Sequence, residues 1–78
     1  MKDIKVFGPG CNRCTATAKL IEETAASLGV LVNVEKVTDM AEMARHGIIS
    51  TPGVVIDGKA VHAGGLPTPD AVIGWLKS

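Results

Sequence analysis

The sequence predicts an α/β domain with its elements in the order β-α-β-α-β-β-α, and three observations carry that reading. Residues 12–28 set apolar side chains at helical spacing between two short strand-like segments. An Asp57-Gly58 pair separates two runs of strand-forming residues. Thr68-Pro69-Asp70 then opens a last helical segment with its own start signal.

The first strand is the short apolar run Ile4 to Phe7, with Lys5 inside it, ending at Gly8-Pro9-Gly10. The first helix spans Asn12 to Leu28. Its Cys14, Ala18, Ile21, Ala25 and Leu28 step by three and four, Leu20 widens the stripe, and Lys19, Glu22 and Glu23 stay polar. Gly29 is placed to cap it. Val30 to Val37 is rich in β-branched residues and alternates at Val32-Asn33-Val34-Glu35, so it is expected as the second strand. Strand, helix and strand together suit a right-handed parallel crossover.

Asp39 and Glu42 have the spacing of a capping box. They open a short helix from Met40 to about His46, stopped by Gly47, with Met40, Met43 and Ala44 facing inward as core filler. Val54-Val55-Ile56 and Lys59-Ala60-Val61-His62 form a hairpin about Asp57-Gly58, and Gly64-Gly65 ends its second strand. In the last helix Thr68 is the N-cap, Pro69 takes the first helical position and Asp70 complements the dipole. Its buried side is Val72, Ile73, Trp75 and Leu76, with Trp75 as anchor.

With 78 residues the chain has room for one small domain, residues 1–78. A hydrophobic content of 46% and a charged content of 21% argue against disorder. Eight basic and eight acidic residues cancel, and the two aromatics, Phe7 and Trp75, make no stacking platform, so nucleic acid is not an expected partner. No apolar run is long enough to span a membrane, and Met1 to Lys5 is not followed by the apolar core of a signal peptide. The cytoplasm is the expected compartment, and a structural disulfide would be unusual there.

The two cysteines of the chain, Cys11 and Cys14, stand two residues apart. Closing so short a loop would stabilise the fold by only ~2 kcal/mol, so the spacing suits chemistry better than stapling. That chemistry is either thiol–disulfide exchange or metal carriage. Exchange needs a thiolate to attack and a second thiol to resolve the mixed disulfide. Cys11 is expected at the N-terminus of the first helix, where unpaired N–H groups and the dipole favour its negative charge. A cysteine with pKa ~8.5 is ~3% thiolate at pH 7, and one lowered to ~7 is about half thiolate. Cys14, one turn later and more shielded, takes the resolving role.

The element order, with a Cys-x-x-Cys between the first strand and first helix, resembles the thioredoxin fold in its minimal form. Ile48-Ile49-Ser50-Thr51-Pro52-Gly53-Val54 is similar to the cis-proline segment of thioredoxins and glutaredoxins, and Gly64-Gly65 resembles the glycine region after their last strand. The resemblance covers the whole chain and looks most like the small glutaredoxin-sized thioredoxins of archaea and bacteria. It implies a four-stranded mixed sheet with three helices, and protein disulfide oxidoreductase activity, with the chain acting as an electron donor. Cys11 and Cys14 would be catalytic, and Thr51, Pro52, Gly64 and Gly65 would bind substrate. It also implies a cis bond before Pro52. That bond would bend the chain beside the disulfide and leave Thr51 backbone groups open to an extended substrate segment. The bland alternative for Pro52 is loop punctuation.

The expected partners are a thioredoxin-reductase-type electron donor and protein disulfides, with no membrane, no nucleic acid and a monomeric state. No cofactor is implied beyond the Cys11–Cys14 disulfide, and no metal. Where thioredoxins carry Trp and Gly-Pro around the first cysteine, this chain has Gly10 and Asn12-Arg13; where they carry a buried acid, it has Lys5. Asn12, Arg13 and Lys5 are therefore the candidates for tuning the thiol pKa, with snorkelling to solvent as the alternative reading of Lys5. These departures leave the electron donor open between thioredoxin reductase and glutathione.

The rival is a soft-metal chaperone of the heavy-metal-associated class, holding copper or zinc on the two thiolates. Such domains run βαββαβ and do not require Thr51-Pro52. Two cysteines do not complete a closed zinc site, and a dimer sharing an iron–sulfur cluster is a further arrangement that nothing in the chain singles out. His46, at a helix C-terminus, and His62, in the last strand, are read as structural rather than as further ligands.

Overall fold

The computed structural model describes residues 1–8 and 12–77. Its elements are β1 (Lys2–Phe7), α1 (Asn12–Leu28), β2 (Val32–Val37), α2 (Met40–Arg45), β3 (Gly53–Ile56), β4 (Lys59–Ala63) and α3 (Pro69–Lys77). One mixed sheet has the order β2-β1-β3-β4. β1 and β2 are parallel, pairing Lys2 with Val32 through Phe7 with Val37. Parallel neighbours need a long crossover, which α1 supplies. β1 and β3 are antiparallel, as are β3 and β4. This is the minimal thioredoxin fold, with three helices and a four-stranded mixed sheet.

The pleat divides the core. From β1, Ile4 and Val6 face α1 and α3, where they meet Cys14, Ile21, Val54 and Val72. Phe7 faces the other way and packs with Met43, Ile48 and Val55. All four residues of β3 are buried, because the strand lies inside the sheet with both faces covered. Thr17, fully buried on α1, turns its hydroxyl back to donate to Arg13 O at 2.7 Å, which satisfies it within the helix.

The local signals act as expected at several ends. Past α1, Val30 N–H donates to Ala25 O at 2.9 Å and Gly29 N–H to Ala26 O at 3.3 Å, a Schellman-type closure. Thr68 Oγ1 accepts from Ala71 N–H at 3.2 Å to start α3. Asp57 and Gly58 both have positive φ, 50° and 85°, as a two-residue hairpin turn demands. The turn is also tied to β1: Asp57 N–H donates to Asp3 O at 2.8 Å, and Asp3 N–H to Asp57 Oδ1 at 3.0 Å.

Four expectations need correction. β2 begins at Val32 rather than Val30, because Val30 is used in closing α1. Met40 is 59% exposed and Ala44 is exposed, so α2 buries Met43 alone; a helix of six residues touches the sheet along a single line. Leu28 is exposed at the end of α1, past the last packing turn. The capping box is half formed. Asp39 accepts from Ala41 N–H at 2.9 Å and Glu42 N–H at 3.4 Å, while the Glu42 carboxylate turns to Lys5. On α3, Val72 and Leu76 are buried, while Ile73 and Trp75 are partly so.

Candidate functional site

Cys14 lies in the first turn of α1, on its sheet-facing side, and is 2% exposed. Its Sγ lies 3.9 Å from Phe7 O, at the end of β1. The apolar stripe places it there, since Cys14 is the first member of the series that continues through Ala18 and Ile21. Cys11, with Pro9 and Gly10, lies outside the described residues. Asn12 and Arg13, the next two residues, are exposed on the first turn.

Thr51 and Pro52 approach from the opposite side of the chain. The Thr51–Pro52 peptide bond is cis, Pro52 is buried and Thr51 half-buried. Two anchors fix this loop. Gly64 N–H donates to Pro52 O at 3.0 Å, which joins the end of β4 to it. Ile48 closes its other side: a Cβ on Gly53 would stand 2.5 Å from Ile48 Cγ2 and 2.9 Å from Cδ1, so only glycine fits there. Gly64 and Gly65 have φ of 84° and 72°, a left-handed pair that turns the chain beside the loop. Ile49 (91%) and Leu66 (55%) are exposed apolar side chains on the two segments that Gly64 joins.

Gly8 links the two halves. A Cβ built there would overlap Cys14 Sγ and stand 3.7 Å from Thr51 Cβ. Cys14, Thr51, Pro52 and Gly64 are thus brought to one region, and Gly8 lies at its centre. Sequence reasoning took Gly8 only as a strand breaker; a contact made through empty space leaves no pattern in a single sequence.

Lys5 is not brought to Cys14. It leaves β1 on the α2 side, and its Nζ donates to Glu42 Oε1 at 2.8 Å. This bond and the charge of Glu42 raise the Lys5 pKa, and the bond and charge of Lys5 lower that of Glu42. The contribution of Glu42 is present above the ordinary carboxylate value of the unfolded chain and is lost as pH falls through the lower folded value. That of Lys5 is full below the ordinary lysine value of the unfolded chain and is lost as pH rises through the higher folded one. Glu42→Gln is therefore expected to lower the melting temperature near pH 7 but to converge with the parent in strong acid. Melting curves from pH 2 to 8 check this; a gap that stays constant would show that the pair contributes nothing.

The histidines have local partners. His46 caps α2 and its ring lies 5.6 Å from that of Phe7. His62 Nε2 is 2.8 Å from Gly65 O, with its ring 5.7 Å from Trp75. No helix among the described residues is long and apolar enough to cross a membrane.

A strand leading to a Cys-x-x-Cys, a helix carrying its second cysteine inward, and a facing cis-proline loop define a thioredoxin-fold protein. The family model described as the thioredoxin domain matches residues 2–77. A thioredoxin of Methanocaldococcus jannaschii is 35% identical over 75 residues, spanning 96% of this chain and 86% of the relative. A thioredoxin of Methanothermobacter thermautotrophicus is 30% identical over 59 residues, spanning 76% and 77%. The chain belongs to the thioredoxin family.

Proposed function

We propose that the chain is a thioredoxin-like redox protein, specifically a protein disulfide oxidoreductase that donates electrons through Cys11 and Cys14. The observation that carries this reading is the seat of Cys14, buried in the first turn of α1 and facing the Thr51–Pro52 loop across Gly8. A buried second cysteine beside an exposed first turn suits a resolving thiol.

In this reading the Cys11 thiolate attacks one sulfur of a partner's disulfide. The partner's S–S bond breaks, and its other sulfur leaves with the electron pair and takes up a proton. Cys14 then gives up its proton, and its sulfur attacks that of Cys11. The mixed disulfide breaks, and the partner's second sulfur leaves as a thiolate that is protonated in turn. Two electrons and two protons have passed from the dithiol to the partner, and the chain holds a Cys11–Cys14 disulfide. A thioredoxin-reductase-type donor restores the dithiol. No cofactor beyond the cysteine pair takes part.

Thr51 and Pro52, with Gly64 and Gly65, form the surface against which an extended partner segment would lie, with Ile49 and Leu66 as apolar flanks. Asn12 and Arg13 are the residues placed to tune the thiols. Lys5 has no part here, because its ammonium is on the other face of the sheet and engaged with Glu42. The chain acts as a monomer in the cytoplasm.

Titration against glutathione buffers, followed by coupling to thioredoxin reductase and separately to glutathione with its reductase, tests the reading. A potential near about −270 mV and turnover with thioredoxin reductase are expected. Tight stoichiometric copper or zinc together with no turnover from either donor would overturn it.

A further inference from the structure

Gly8 follows β1 directly and is buried. Its N–H donates to Val37 O at 3.0 Å, so its backbone is held by the β1–β2 ladder. Its φ lies outside the left-handed region that favours glycine. What glycine supplies here is space. A Cβ would overlap Cys14 Sγ and stand 3.3 Å from Cys14 Cβ and 3.7 Å from Thr51 Cβ.

We propose that Gly8 is a positioning residue for the resolving sulfur: its missing side chain is the seat in which Cys14 Sγ rests, against strand backbone and beside Thr51. The consequence for turnover rests on the disulfide-exchange reading; the seat itself does not.

Among the described residues, three surroundings confine the sulfur. Behind it is the Gly8 backbone, fixed by its bond to Val37. On one side is the Phe7 carbonyl at 3.9 Å. Around its helix are the close-packed Ile4, Val6 and Ala18. A methyl group at position 8 cannot be absorbed by a flexible chain end, as it meets a sulfur held at the root of a helix. The sulfur is then driven from its seat, toward the exposed first turn where Asn12 and Arg13 lie.

Two effects follow. The Cys14 thiol becomes reachable by outside reagents. Resolution also slows, because the Cys14 sulfur must stand in line with the Cys11–partner bond as it forms the new S–S bond and expels the partner's sulfur with the electron pair. Mixed disulfides should then outlast those of the parent.

The test begins in a Cys11→Ser background, where Cys14 is the single thiol. Iodoacetamide is added well below the melting midpoints, so that global opening does not contribute. Adding Gly8→Ala is expected to speed alkylation of Cys14 by about tenfold. In a second arm, with both cysteines otherwise intact, Gly8→Ala is expected to lower the melting midpoint by about 5–15 °C, and most of that fall should vanish when Cys14→Ala removes the sulfur. Unchanged alkylation in a folded Gly8→Ala protein would overturn the proposal. So would an equal loss of stability with and without the Cys14 sulfur, including failure to fold in both. In a third arm, Gly8→Ala should lengthen the life of the mixed disulfide by about tenfold. A parent that reduces no disulfide would refute the exchange reading, while the first two arms would still report on the seat.

Discussion

Cys11→Ser is expected to reduce protein disulfides no faster than the uncatalysed reaction, while Cys14→Ser should make one attack and then stall. The asymmetry follows from burial. Cys14 is 2% exposed among Ile4, Val6 and Ala18, so a bulky partner disulfide cannot reach its sulfur without opening the root of α1. With Cys11 gone, the remaining thiol is the one that partners cannot reach. With Cys14 gone, the Cys11 thiol is still expected to attack, but no neighbouring thiol completes the second exchange. Mass spectrometry of Cys14→Ser incubated with a disulfide-bonded protein should find a covalent adduct that dithiothreitol releases. An unchanged rate in Cys11→Ser would sink the assignment of the nucleophile.

Phe7→Ala is expected to remove about 3–5 kcal/mol of folding stability. Phe7 is wholly buried and is the largest side chain on the α2 face, where Met43, Ile48 and Val55 close around it. Among the described residues, α2 and its flanking loop are what covers that face, so the cavity has few neighbours able to collapse into it. A domain of this size has net stability of roughly 4–12 kcal/mol, so the loss is a large fraction of the whole. Ile48 also forms one base of the Thr51–Pro52 loop, and activity should therefore fall with stability. Urea titration should show a lower midpoint with an unchanged slope. A loss below about 1 kcal/mol would mean that this face is not a core in its own right.

Much of the fold was legible because its signals are local. The step of three and four from Cys14 to Ala25 marks α1, and Asp57-Gly58 marks the hairpin; each depends on neighbours within one turn. The pairing of Thr51-Pro52 with the cysteines was legible only through family resemblance, since some forty residues of chain separate them. Lys5 was misleading for a different reason. It stands where thioredoxins carry a buried acid, and that resemblance suggested a tuning role, but alternation along β1 sends it to the opposite face from Ile4 and Val6, and Glu42 holds it there. Met40 and Met43 looked alike in the sequence. Only the shortness of α2 decides that one is buried and the other exposed.

The closure of Ile48 on Gly53 bears on how a partner would be selected. A loop clamped at its base, with Gly64 bonded to Pro52 beside it, has little motion left to lose. An arriving segment would therefore meet a preformed ledge, avoiding the ordering cost of about 0.5–1.5 kcal/mol for each side chain that must be immobilised. The same stiffness removes the option of moulding to different shapes. In the proposed disulfide-exchange reading, breadth of partners would then come from the partners: segments loose enough to straighten along the ledge would be accepted, and disulfides locked inside rigid domains would be passed over until they loosen.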